Sequence, residues 1–218
     1  DWLLALEYIK ALAKEFDSKI ISETGEEYTV DNIDKFDYEG DILYGIEGIS
    51  SRVKGEDSTL YSIFGINRIV SFNQEMIDRI ENSDSPIDTF SNMVKEIQYL
   101  DAFSANQRFF RNKEDGKIIG TYTLTQNLRT ILPYKPSVEF ENSDMVKNED
   151  IAFWNIGLVT IDGDENDPNS YQVIGQLDYN DFIKKLPKDK YRFIDASYIL
   201  IEPLSKEEIL GLLEISVS

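Results

Sequence analysis

QRFFRNKEDGKIIGTYTL, residues 107–124, decides the fold class. Gln107–Asn112 and Lys117–Leu124 are strand-like runs, and Glu114-Asp115-Gly116 between them is a hairpin signal. Strand periodicity continues downstream. Ile151–Ile161 and Tyr171–Leu177 flank a polar loop and are expected to pair, and Tyr191–Ile201 reads as one further strand. A short helix over Tyr179–Leu186 stops at Pro187. Ser205-Lys206-Glu207-Glu208 is a capping box that opens a last helix with Ile209, Leu212 and Leu213 inward.

Upstream the period is helical. Trp2, Leu6, Ile9, Ala13 and Phe16 form one stripe, and Ile42, Ile46, Ile49 and Val53 mark a second helix over Tyr38–Val53. Gly45 and Gly48 interrupt that second stripe at a cost of about 1 kcal/mol each against alanine, which predicts a close packing contact or a break there. Lys19–Ser22 and Tyr28–Val30 form a short hairpin, and Leu60–Phe72 is strand-like around Gly65. Asn73 caps a short helix, and Ser85-Pro86 starts another that ends near Leu100. Helices first and strands second, without regular βαβ alternation, predict an α+β fold. The expected architecture is a mainly antiparallel sheet in the C-terminal half, with amphipathic helices from the N-terminal half packed against it. Residues 1–218 are read as a single α+β domain. Glu-Asn-Ser-Asp at 81–84 and again at 141–144 reads as two polar connectors, the first allowing a sub-division near 82–86.

Composition closes several function classes. The 218 residues include no histidine and no cysteine, which removes imidazole and thiol catalysis, disulfides and the usual zinc, haem and copper ligand sets. Hydrophobic residues at 41% suffice for a folded core. No apolar run approaches the roughly 20 residues of a membrane helix, so no membrane association is expected. The chain starts at Asp1 and already in a helical pattern, which predicts further N-terminal residues in the native protein; with no leader visible, a cytoplasmic location is the default. The net charge of −19 disfavours binding to phosphate backbones, so no nucleic-acid partner is expected. Acidity is read as a solubility feature in preference to mimicry of a nucleic acid.

Two stretches break the acidic pattern. Residues 108–135 hold six basic residues against two acidic, and residues 184–192 hold five against one. Arg129, Lys190 and Arg192 are therefore candidate anion- or ligand-binding residues, weighed against self-neutralisation of the acidic surface. Asp195 interrupts an apolar run and joins them as a candidate, with Arg192 or Arg129 as its expected partner; a structural hydrogen bond is the preferred reading. Asp162-Gly163-Asp164-Glu165-Asn166-Asp167 matches the first three ligand positions of a calcium loop. It lacks the glycine and the bidentate glutamate, and a solvated loop is preferred, with no metal site assigned. Gly45-Ile46-Glu47-Gly48 has the outline of a KH-type nucleic-acid clamp without its positive charge. Neither a Walker loop nor a dinucleotide fingerprint occurs, and no cofactor is implied.

EIQYLDAFSANQRFF (96–110), ILPYKPSVEFEN (131–142) and KYRFIDASYILIEPLS (190–205) resemble a family of streptococcal and related Gram-positive proteins classed as a domain of unknown function, family 4299. The resemblance implies a bacterial cytosolic protein of which this chain is the C-terminal part; it implies no activity and no site residues. The residues themselves favour a binding or protein-interaction module without catalysis, with a protein partner or self-association. The alternative is a carboxylate- and lysine-dependent enzyme or binder for a small phosphorylated or anionic ligand.

Overall fold

The computed structural model describes residues 2–55 and 60–214. The chain divides into two compact units, Asp1–Thr59 with Gln74–Asn92, and Leu60–Asn73 with Met93–Ser218.

In the first unit, α1 (Trp2–Glu15) buries Leu6 and Ala13. Phe16 falls beyond the helix end, where Asp17 turns to positive φ, and is exposed instead of completing the stripe. The strands β1 (Ile20–Ile21) and β2 (Glu27–Tyr28) make the expected short hairpin. Asp37 caps α2 (Tyr38–Val53) by accepting from the Gly40 amide, and the helix buries Ile46, Ile49 and Val53. It is unbroken, and a Cβ at Gly45 or Gly48 would meet open space. The expected packing role for these glycines is thus overturned. Glu81, at the end of α3 (Gln74–Glu81), accepts from Ser50 and Lys54, both at 2.6 Å, and ties α3 to α2. The Glu81–Asp84 connector leads into α4 (Pro86–Gln98), whose last turns belong to the second unit.

The second unit begins with the hairpin β3 (Tyr61–Phe64) and β4 (Ile69–Phe72), registered Ser62 to Ser71. The buried Gln98 side chain accepts from the Asn67 amide at 2.9 Å and donates to the Arg68 carbonyl at 2.7 Å, so it holds the turn of this hairpin in shape. Then come β5 (Phe103–Ser104), β6 (Arg108–Arg111), β7 (Ile118–Thr125), β8 (Thr130–Pro133), β9 (Ile151–Ile161) and β10 (Tyr171–Asp178). The chain closes with α5 (Tyr179–Lys185), β11 (Tyr191–Phe193), β12 (Tyr198–Ile201) and α6 (Lys206–Leu213). Ser205 and Glu208 form the expected capping box of α6.

These strands build two four-stranded sheets, ordered β10-β9-β7-β6 and β11-β12-β8-β5. One core serves both. It joins Tyr122 and Leu124 of β7, Leu132 of β8, Ile156 and Leu158 of β9, Ile199 and Ile201 of β12, and Phe182, Ile209 and Leu212 of α5 and α6. At Gly120 a Cβ would run into the Trp154 ring, so glycine is what lets that indole lie on β7 and stack on Tyr122 at 5.6 Å.

The α+β class holds, but the expected segregation does not. Strands β1 to β4 lie in the N-terminal half and α5 and α6 in the C-terminal half. The sheets are mixed, because β7 pairs with β9, and β5 with β8, in parallel. A parallel neighbour requires a crossover, and residues 126–150 provide it by contributing β8 to the other sheet before returning. The hairpins β6–β7 and β9–β10 are antiparallel as expected. Tyr191–Ile201 is two antiparallel strands and not one, with Asp195 in the turn between them.

Candidate functional site

The basic residues singled out from sequence are brought near one another, and the protein's own glutamates meet them. In β8's approach, Arg129 donates from Nε and Nη2 to the Glu202 carboxylate at 3.0 and 2.9 Å. Lys190 pairs with Glu208 at 2.7 Å. Arg192, on edge strand β11, adds its field to Glu202, and Arg129 and Arg192 together hold that carboxyl below its usual range. None of the three cations lines any of the cavities described below.

Asp195 does not pair with an arginine. It is 5% exposed, and its Oδ2 accepts from the Ser71 amide at 2.9 Å while Oδ1 accepts from Ser197 and Tyr198 at 2.8 and 2.7 Å. The Ala196 amide donates back to the Ser71 carbonyl at 3.0 Å. Burial raises the Asp195 pKa, and the three amide donors oppose that rise. The carboxylate closes the free edge of β4 and turns the chain from β11 into β12. Its setting is that of a stitch between two strands.

The oxygens of the Asp162–Asp167 loop are taken up by neighbouring side chains and amides, and Asp162 lies 3.9 Å from Lys206. Asp164 accepts from both nitrogens of Asn166, and Asp167 accepts from both of Asn169. Among the described residues no group of three or more acidic side chains is placed to hold a metal ion.

The features that sequence reasoning missed lie on the other side of the Asp195 turn. One face of the β3–β4 hairpin, carrying Ser62, Phe64, Ile69 and Ser71, forms a wall of a groove of about 770 Å³. The opposite wall is the extended segment after β8, from Pro133 to Phe140, and the floor includes Phe193 and Tyr198. Phe64, Phe140 and Phe193 are 65%, 70% and 50% exposed. Phe64 meets Phe140 edge-on at 5.4 Å, linking the two walls, and Phe193 of the floor meets Tyr134 of the second wall at 4.9 Å.

A smaller cavity of about 170 Å³ adjoins the groove, sharing Ile69, Glu139 and Tyr198 with it. Its polar lining is Asn67, Arg68, Ser104, Asn106 and Glu141. Gln107 positions Glu139, accepting from its backbone amide at 3.0 Å and donating to the Tyr122 hydroxyl at 2.5 Å. That hydroxyl lies 3.4 Å from the Glu139 carboxylate. Burial, and then the Glu141 charge, push the Glu139 pKa upward; Tyr198 is raised by burial and by Glu139. No cation pairs with Glu139 or Glu141 among the described residues. Arg68 turns its terminal nitrogens to the carbonyls of Ile97, Leu100 and Ala102. A half-buried carboxylate beside tyrosines in a cleft is a setting in which function is commonly found. The sequence marks it only weakly, because Pro133–Asn142 has neither helical nor strand periodicity and acts by position.

No helix among the described residues is long and apolar enough to cross a membrane. The chain matches no curated protein and no solved structure. It does match one family model, the Domain of unknown function (DUF4299), over residues 1–212. A match of that span gives no support to reading the chain as only the family's C-terminal part. By this match the chain belongs to the DUF4299 family.

Proposed function

We propose that the second unit is a binding module whose aromatic groove receives an extended, apolar segment of a basic protein partner. The observation that carries this reading is the groove of about 770 Å³ with three phenylalanines exposed along it. Exposed rings grouped in one concave surface are what binding surfaces offer and what isolated surface residues do not. The net charge of −19 supports a cationic partner, whose approach it would speed, and works against a second copy of the same chain. Pairing of Arg129 and Lys190 with glutamates leaves the alternative, an enzyme or binder acting on a small anion, with less support. A cytoplasmic setting in a streptococcal or related Gram-positive cell belongs to the same proposal.

The test uses a capped nonapeptide of alternating phenylalanine and serine with lysine at both ends, titrated calorimetrically into the whole chain. Binding is expected, with Phe64→Ser and Phe193→Ser each weakening it about tenfold, a loss of about 1.4 kcal/mol. Exchanging the terminal lysines for glutamates should weaken it further. Absence of binding, or equal affinity for both phenylalanine variants and wild type, refutes the groove as the site.

A further inference from the structure

We propose that the small cavity beside the groove is an anchor pocket for a single cationic side chain, lysine or arginine, of the bound segment. The inference rests on the groove reading above and specifies what the segment must carry. Three observations converge on it. The cavity is contiguous with the groove, so an extended chain lying in the groove can drop one side chain into it. Its volume of about 170 Å³ is close to the ~150 Å³ of an engineered cavity that admits benzene, so it takes one side chain and excludes a nucleotide. Its charged lining is the carboxylates of Glu139 and Glu141 and the guanidinium of Arg68, whose terminal nitrogens already serve backbone carbonyls and whose buried Nε has no partner. Acid therefore exceeds base, and neither glutamate is ion-paired among the described residues.

Glu139 is half-buried and held in place, while Glu141 is exposed at the rim. Gln107 fixes the Glu139 backbone, and Asn142, at the end of the single 3-10 turn that follows Glu139, donates to the same Gln107 oxygen at 3.1 Å. The apolar wall of Ile69, Ile131 and Ile194 strips water from one side of the cavity. An ionised carboxylate in such a place pays for its desolvation unless a counter-charge arrives, and an entering ammonium or guanidinium supplies one. The groups that face Glu139 are Tyr122 of β7, Tyr179 of α5, Tyr198 of β12 and the neighbouring Glu141, with Arg68 in the lining. The tyrosines carry no charge and two glutamates face one arginine, so the balance of charge at the cavity favours a cation. Entry of the cation favours the ionised form of Glu139, opposing the upward push of burial and Glu141.

A set of peptides tests this by moving one lysine along the phenylalanine–serine nonapeptide, each compared with norleucine at the same position. At one position lysine should bind at least tenfold more tightly than norleucine. That advantage should vanish in Glu139→Gln and shrink in Glu141→Gln, a change of an exposed residue that leaves the fold intact. It should also grow as pH rises and Glu139 ionises. Equal affinity for lysine and norleucine at every position, with binding retained, overturns the anchor pocket and leaves the groove standing. If no peptide in the set binds, the groove reading falls and the anchor pocket with it.

Discussion

Replacing Asp195 tests how the second unit is held together beneath its groove. The side chain is 5% exposed and accepts from three backbone amides at 2.7–2.9 Å. Removing a buried acceptor strands its donors at about 1–3 kcal/mol each. Part of that loss is offset, because burying the charge was itself unfavourable. Asp195→Ala should therefore cost about 3 kcal/mol. Asp195→Asn keeps the oxygen that serves Ser197 and Tyr198, sets its amide NH2 against the Ser71 N–H donor, and should cost about 1–2 kcal/mol. Trp2 lies in the first unit and Trp154 in the second, so urea unfolding followed by fluorescence in a Trp2→Phe background reports the second unit alone. The pH dependence supplies a second readout. The folded-state pKa of Asp195 is raised, so the folded chain holds this proton more firmly than the unfolded one. The resulting stabilisation is complete below the ordinary value of 3.8 and is lost as pH rises through the folded-state value. Wild type should thus lose stability relative to Asp195→Asn over that window. A cost below about 1 kcal/mol for Asp195→Ala would refute the stitch.

Three further outcomes follow from other parts of the chain. Gly48→Ala, and Gly45→Ala with it, should each stabilise α2 by up to about 1 kcal/mol, since a Cβ meets open space there; scanning calorimetry should show a rise in Tm, and a fall would mean that something packs on those glycines. Gly120→Ala should destabilise by about 1–3 kcal/mol and shift Trp154 emission, because the indole must leave its place on β7; unchanged emission would contradict that packing. Inorganic phosphate should give no thermal shift beyond that of chloride at equal ionic strength, since Arg129 and Lys190 already face Glu202 and Glu208; a specific rise abolished by Arg129→Ala would restore the anion site.

What could be read from the chain follows how local each signal is. The hairpin around Glu114-Asp115-Gly116, the span of α2 and the capping box at Ser205 are set by neighbours within a few positions, and all three stand where expected. The parallel pairing of β7 with β9 is long-range. It depends on Thr130–Pro133, four residues buried on both faces and too short to show a period. Tyr191–Ile201 read as one strand because its apolar run continues through Asp195, yet that residue's own side chain takes the amides of Ser197 and Tyr198 and forces the turn. Arg129 and Glu202 are far apart in sequence and meet only because β8 and β12 pair. Glu139 escaped notice as one carboxylate among 41 acidic residues, since its distinction is burial beside Tyr122 and Tyr198, which no local pattern encodes.

The groove itself is tested most directly by amide hydrogen exchange of the whole chain with and without the lysine-flanked phenylalanine peptide. Slowed exchange is predicted in residues 60–72, 133–140 and 193–198, the three segments that line the groove, with the rest of the second unit unchanged. Protection that appears elsewhere and spares those segments would contradict the account.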